Sequence, residues 1–182
     1  MSEKVVDITG VPKFQNAVLI EPTAELETEF LAMADEYKAV GDRRYQSALE
    51  NFSVYLEQIA NFARGVNLLP DRVPGSEFWL VNNGEVIGRG TLRHRLTTAL
   101  EHEGGHIGYD VRPSEREKGY GTLILKLMLE KAKNLGLEKV FLTCDTENVG
   151  SAKIIEKNGG ELVGHAISDK NEKQISQYWI EI

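Results

Sequence analysis

Arg116-Glu117-Lys118-Gly119-Tyr120-Gly121 sets two cations and two glycines directly ahead of an apolar helical period running to Leu135. That order suits anion binding. A helix leaves its first four backbone N–H groups unpaired, and its aligned dipoles concentrate partial positive charge there. Glycines at 119 and 121 would let a phosphate approach those amides, and Arg116 and Lys118 would add charge. The same glycines would equally serve an ordinary turn in need of backbone freedom. The spacing disfavours two familiar phosphate loops. It lacks the G-x-G-x-x-G pattern, and the following strand lacks a convincing terminal ribose-binding acid. Thr122 follows Gly121 without the lysine-hydroxyl pair that a nucleoside triphosphate loop requires.

Other reactive side chains are less ordered. His94, His102, His106 and His165 form no strong metal motif: the i,i+4 pair His102/His106 is interrupted by Gly104-Gly105, so no metal is expected. Cys144 is the only cysteine, which rules out an intrachain disulfide. Arg89, Arg93, His94 and Arg95 make a local basic patch that could meet an anion or simply decorate an exposed strand. Glu29, Glu57 and Glu77 could attract a cationic amine, although solvated helix faces explain the first two equally well.

These groups need a frame to position them. Asn16–Ile20 reads as a strand ended by Pro22, and 23–39 as a helix with Thr23 as its cap and Leu26, Phe30, Leu31, Ala34 and Tyr37 on one stripe. Gly41 closes it. A second helix is predicted over 46–63, followed by a 65–75 loop. Phe78–Val81 and the segment from Val86 towards Leu96 form a hairpin about Asn82-Asn83-Gly84-Glu85, with Gly88-Arg89-Gly90 marking a bulge or a close backbone approach. Thr97–Gly104 reads as a polar connection carrying Glu101, His102 and Glu103. The strand Gly105–Val111, the helix to Leu135 and the strand Lys139–Thr143 make a crossover that implies a parallel pair. A helix with Ala152, Ile154 and Ile155 as its short apolar stripe, ended by Gly159-Gly160, and two last strands, at Glu161–Val163 and Ser176–Ile182, complete one α/β sheet without a linker. Residues 1–13 read as an edge strand or a loose leader.

A chain of 182 residues can bury a sizeable core as one domain. Its formal net charge is −7, from 21 basic and 28 acidic side chains, which argues against nucleic-acid and anionic-membrane partners. No 18-residue apolar run and no leader-like start are evident, so a cytoplasmic location is expected.

The ordered combination of strand, 116–121 loop, helix, strand and Asn148 resembles the GCN5-related N-acetyltransferase (GNAT) superfamily, most clearly over 104–160. The resemblance implies a single GNAT-like domain over 1–182, with a mixed, mostly antiparallel sheet flanked by helices and a splayed parallel strand pair. Within it, 104–160 would be the acyl-CoA-binding core and 23–64 a helical acceptor-side region. A pantetheine arm would lie between the splayed strands, pairing with backbone groups of Tyr109, Asp110 and Val111. Amides of Lys118, Gly119, Tyr120, Gly121 and Thr122 would take the diphosphate, Arg116 would close the loop, and Asn148, Ser151 and Lys153 would line the far side. Asn148 could instead be only a helix cap.

The implied reaction moves an acetyl group from acetyl-CoA directly to an amine, which must lose a proton to attack. His106, Glu103 and Glu101 are candidate bases by their nearness to the cofactor strand, and no motif compels any of them. A backbone N–H near Val111 would stabilise the developing oxyanion. Many relatives carry a thiolate-protonating tyrosine where this chain has Ile155, so Ser151, through a water, and Tyr109 are the substitutes at hand. Tyr37, Tyr45, Tyr55 and Trp79 could wall the acceptor cleft or pack internally. A small amine, an amino acid, an aminoglycoside and a peptide amine all fit as acceptors, and homodimerisation stays open. The alternatives are a noncatalytic acyl-CoA-binding or regulatory module, and an interaction protein on the same scaffold.

Overall fold

Alternating side chains and tight turns build the first sheet of the computed structural model, which describes residues 12–182. The expectation for 1–13 thus lies almost entirely outside the described residues, and Pro12–Phe14 forms a short 3-10 turn. β1 (Val18–Ile20), β2 (Gly75–Asn82), β3 (Glu85–Arg93) and β4 (Ile107–Val111) lie antiparallel in the order β1-β2-β3-β4. Asn83 and Gly84, at φ 52° and 87°, turn β2 into β3 with both residues left-handed, as a two-residue hairpin demands. β3 stops at Arg93, short of the expected Leu96.

The second sheet holds β5 (Lys139–Asp145), β6 (Glu161–Ile167) and β7 (Gln174–Glu181) in the order β5-β7-β6. β4 and β5 are the splayed parallel pair. They meet where the His106 N–H donates to the Phe141 carbonyl at 2.7 Å and the Phe141 N–H donates to His106 Nδ1 at 2.9 Å. Beyond that point they form no ladder, and a wedge opens between them.

Helices cover both faces. α1 (Glu27–Ala39), α2 (Gln46–Glu50) and α3 (Phe52–Arg64) pack Phe30, Met33, Tyr37, Ala48 and Tyr55, together with Tyr45 just ahead of α2, against Trp79, Val81 and Val86. The helix predicted over 46–63 is therefore two. Asn51 breaks it by taking an extended backbone, from which its side chain accepts the Val54 N–H at 3.1 Å and caps α3. The expected polar connection before β4 contains a helix, α4 (Thr98–His102), started by Thr97, whose hydroxyl accepts the Leu100 N–H at 3.3 Å.

On the opposite face, α5 (Tyr120–Asn134) lays Leu123, Ile124 and Met128 on Phe78, Leu80, Ile87 and Ile107, and α6 (Val149–Lys157) follows β5. Both readings of Gly88-Arg89-Gly90 hold in part. The β2–β3 register shifts between Leu80 and Val81, and Cβ atoms at Gly88 and Gly90 would collide with Ile124 and Met128. Glycine there lets α5 settle onto the strand. Among the described residues no helix is long and apolar enough to cross a membrane.

Candidate active site

The wedge beyond β4 is a cleft of about 650 Å³ walled by β4, the 112–119 loop, the first turn of α5, and α6. Of the residues expected to bind cofactor, Tyr109, Asp110, Val111, Arg116, Gly119, Gly121, Thr122, Asn148, Ser151 and Lys153 line it, whereas Lys118 and Tyr120 do not.

Strand parity decides which backbone groups of β4 face the cleft. The Arg112 N–H donates to the Ile87 carbonyl at 2.8 Å, and Asp110 sits opposite Arg89. In an antiparallel ladder, alternate residues point their N–H and C=O at the partner strand. Gly108 and Asp110 thus spend theirs on β3, and Tyr109 and Val111 turn theirs outward. Asp110 is therefore a poor backbone partner for a ligand arm, contrary to expectation. Its carboxylate is also occupied, accepting from the Tyr45 hydroxyl, from the Tyr37 hydroxyl at 3.3 Å and from Arg89 Nε at 3.2 Å, with Arg44 at 3.5 Å. The Val111 carbonyl already accepts the Tyr37 hydroxyl at 2.6 Å, which leaves the Val111 N–H for a ligand. Burial, and then the Asp110 charge, push the Tyr37 hydroxyl pKa up to about 12.

The loop is pinned from α1. The Glu36 carboxylate accepts from Arg112 Nε at 2.6 Å and from the Ser114 N–H at 3.0 Å. Burial pushes its pKa up, but the Ser114 amide and Arg112 outweigh that and hold it below the usual carboxylate range. Lys118 pairs with Glu115 at 2.9 Å, so its charge is not directed into the cleft. Gly119 adopts φ 91°, a left-handed conformation that favours glycine, and among the described residues no side chain caps α5. The first helical bond of α5 runs from the Leu123 N–H to the Gly119 carbonyl at 3.2 Å, leaving the earlier amides at the cleft floor. Gly121 has a packing reason as well: a Cβ there would come within 2.6 Å of Ile154 Cδ1. Tyr120 turns inward, its hydroxyl accepting from Asn82 Nδ2 at 2.8 Å and its ring edge-on to Phe14.

α6 forms the facing wall. Asn148 caps it, its side chain accepting the Ser151 N–H at 3.0 Å. Ser151 Oγ lies 2.9 Å from the Tyr109 hydroxyl, so a ring from β4 spans the wedge to α6. Burial raises the Tyr109 pKa to about 12, keeping the phenol protonated at neutral pH. Ile155 is fully buried in the core beneath, so no polar group reaches the cleft from that position.

A family model described as "Acetyltransferase (GNAT) domain" matches residues 22–161. The chain belongs to the GNAT acetyltransferases. Its fold is similar to RimL, a ribosomal L7/L12 alpha-N-protein acetyltransferase in complex with coenzyme A, at TM-score 0.71 and 15% identity over 94% of this chain and 97% of that one. It is similar to Mycobacterium smegmatis RimJ in complex with CoA-disulfide, at TM-score 0.70 and 17% identity over 91% and 81%. A spermidine N-acetyltransferase SpeG chimera from Vibrio cholerae and hSSAT gives TM-score 0.65 and 16% identity over 91% and 95%. No curated protein sequence matches the chain.

In this GNAT, Ser151 and Tyr109 reach the cleft, and the three candidate bases do not line it. His106 is buried at the root of the splay, where its Nδ1 accepts the Phe141 N–H; burial and the nearby Arg93 charge lower its pKa. Glu103 accepts from Ser168 at 3.0 Å and Lys170 at 2.9 Å, and Glu101 lies exposed on α4. Glu77 is not an exposed lure for amines: it is buried, bonded to Trp79 Nε1 and the Tyr55 hydroxyl at 3.0 Å each and to Arg89 at 2.9 Å. Tyr45, Tyr55 and Trp79 are core residues around that network. The basic patch likewise dissolves, because Arg93 donates to the Gly104 and Gly105 carbonyls and His94 meets Ser76. Cys144 is buried, and burial raises its thiol pKa. Among the described residues no cluster of three potential ligands could hold a metal.

Sequence reasoning missed Glu36, Tyr37 in its bond to Val111, and Lys157. Glu36 and Tyr37 lie more than 70 positions from their partners and carry no local signal. Lys157 did carry one, standing four residues after Lys153 on the same helical face.

Proposed function

We propose that this GNAT transfers an acetyl group from acetyl-CoA to a primary amine of a small molecule or peptide in the cytoplasm, without nucleic-acid or membrane partners. The observation that carries the proposal is the wedge itself, with uncapped amides of α5 at its floor and outward-facing backbone groups of Tyr109 and Val111 along its side. These residues fit an extended ligand with an anionic middle: amides from Gly119 to Thr122 and Arg116 would hold a diphosphate, and the β4 edge would hold a pantetheine amide.

Acetyl-CoA supplies the activated acyl carbon and the thiolate leaving group. The amine nitrogen bonds to that carbon as the carbon–sulfur bond breaks; the amine proton leaves to water and the sulfur receives one in return. The Val111 N–H is the preorganised donor for charge that grows on the carbonyl oxygen. Ser151 and Tyr109 supply the sulfur side. The Tyr109 hydroxyl can donate to Ser151 Oγ at 2.9 Å or to the Ser151 carbonyl at 3.4 Å; donating to Oγ, it leaves the serine hydrogen for the sulfur, in place of the tyrosine absent at position 155.

A thiol-release screen with acetyl-CoA and a broad amine panel, with mass detection of products, tests the proposal. Spermidine and peptides with free N-termini belong on it because fold relatives carry those activities in their names. The expected result is acceptor-dependent CoA release and a product heavier by one acetyl group. Tight binding with no turnover on any amine would favour the noncatalytic module instead.

A further inference from the structure

Glycine inside a strand loses more freedom on folding than any other residue and packs nothing, so a backbone or close-contact reason is expected for it. Among the described glycines, all but one have either a positive φ or an atom within 4 Å of the place a Cβ would take. Gly108, within β4, has neither. Gly88 and Gly90 on the neighbouring strand show the contrast, since Ile124 and Met128 of α5 would meet their Cβ atoms. The β3–β4 register also runs unbroken past Gly108, so no bulge explains it. What remains is close approach by a ligand.

Strand alternation places the open space. Tyr109 lies opposite Gly90, on the α5 side, so Gly108, opposite Thr91, and Asp110, opposite Arg89, look towards the α1–α3 side. Two residues beyond the contact of His106 with Phe141, Gly108 and Thr143 hold corresponding positions on the diverging strands. Thr143 lies between the core residues Leu142 and Cys144 and faces the same way as Gly108. The cleft opens to this side as well, because Tyr37, Arg44 and Asp110 line it together with Tyr109 and Ser151. An acyl carbon held along β4 is therefore reachable from the hollow over Gly108. The charges bordering that hollow are paired: Glu77 and Asp110 share Arg89 at 2.9 and 3.2 Å, and Arg93 donates to the Gly104 and Gly105 carbonyls. It offers room rather than a charge.

Resting on the acetyltransfer reading above, we infer that Gly108 is a specificity-determining residue: the room left by its missing side chain receives the uncharged carbon that carries the acceptor nitrogen, approaching from the α1–α3 face. Stability and substrate access oppose each other at this position. A side chain would suit the strand and would fill the acceptor's place.

Gly108→Ala and Gly108→Val, compared with the wild type, test this. Both side chains enter open space at an ordinary φ, so the unfolding midpoint should rise by about 1–4 °C. Calorimetric titration with acetyl-CoA should give the wild-type affinity for both variants. With the amine that gives the largest kcat/KM in the panel, kcat/KM should fall about 10-fold in the alanine variant and about 100-fold in the valine variant, mainly through KM for the amine, the scale of one or two methyl groups placed in an occupied pocket. Unchanged kcat/KM in Gly108→Val would overturn the inference. So would a matching loss of acetyl-CoA affinity, which would put the new side chain in the path of the cofactor, or a lowered midpoint in both variants, which would give Gly108 a structural role. If the wild type binds acetyl-CoA and acetylates no amine, the acetyltransfer reading fails first and takes this one with it.

Discussion

Protonating His106 would remove the acceptor for the Phe141 N–H at the point where β4 and β5 part. Its folded-state pKa is lowered from 6.5 by burial and Arg93, so the unfolded chain takes up the proton first as pH falls. The sign follows from linkage: the stabilisation is complete above the unfolded value and is lost as pH drops through 6.5 towards the lowered folded one. Urea unfolding of wild type and His106→Gln between neutral and mildly acidic pH should show a steeper loss in the wild type. Parallel curves would remove His106 from the account. A second residue-scale expectation concerns Tyr109. Tyr109→Phe keeps the ring and loses the hydroxyl beside Ser151, so kcat should fall by about 10- to 100-fold with KM for acetyl-CoA nearly unchanged, the range of a modest proton-transfer contribution. Steady-state kinetics with the acceptor found in the amine screen provide the measurement. An unchanged kcat would leave Ser151 and water as the sulfur-side groups.

At the scale of elements, α1 and the cofactor loop behave as one unit. Glu36 grips Arg112 and Ser114 while the next residue, Tyr37, holds the Val111 carbonyl, so one turn of helix fixes both ends of the strand-to-loop transition. Glu36→Ala would free the loop without touching the acyl end of the cleft. Coenzyme A affinity should weaken about 5- to 20-fold, the cost of losing one partly buried charged hydrogen-bond group, with little change in kcat. Calorimetry together with kinetics separates the two. If kcat falls and affinity holds, the loop is not what Glu36 positions. Other element-scale features follow from single residues that compete with a period. Asn51 splits an otherwise continuous helical stripe because its side chain caps better than it continues, and Thr97 starts a helix in a stretch too short to show a period.

At the scale of the molecule, the two helical layers depend on the first sheet between them. Trp79 is fully buried under Phe30, which stacks on it with ring centroids 4.4 Å apart, and its Nε1–H is bonded to Glu77. Trp79→Ala should cost about 3–5 kcal/mol. Denaturant unfolding would show this as a lower midpoint, and a cost below about 1 kcal/mol would mean that α1–α3 contribute little to the fold. The same network makes Glu77 and Asp110 inseparable from Arg89: removing the arginine leaves two buried carboxylates without their shared cation, a far larger loss than an exposed pair would show.

The sequence by itself determined whatever depends on neighbours a few positions apart. The strand, loop and helix around Gly119, the Asn83-Gly84 turn, the crossover to β5 and the cap at Asn148 all follow from local periods and backbone preferences, and together they led to the correct family. Tertiary structure alone decided the allocation of polar groups. Asp110 looked like a ligand until Arg89 claimed it, Glu77 looked like an attractor for amines until α3 covered it, and Tyr109 became the partner of Ser151 because two strands diverge. A hydrogen bond or ion pair between residues 21 to 76 positions apart leaves no trace in local spacing, since it is fixed by where whole elements pack, and that packing is settled by the core rather than by the charged groups it brings together.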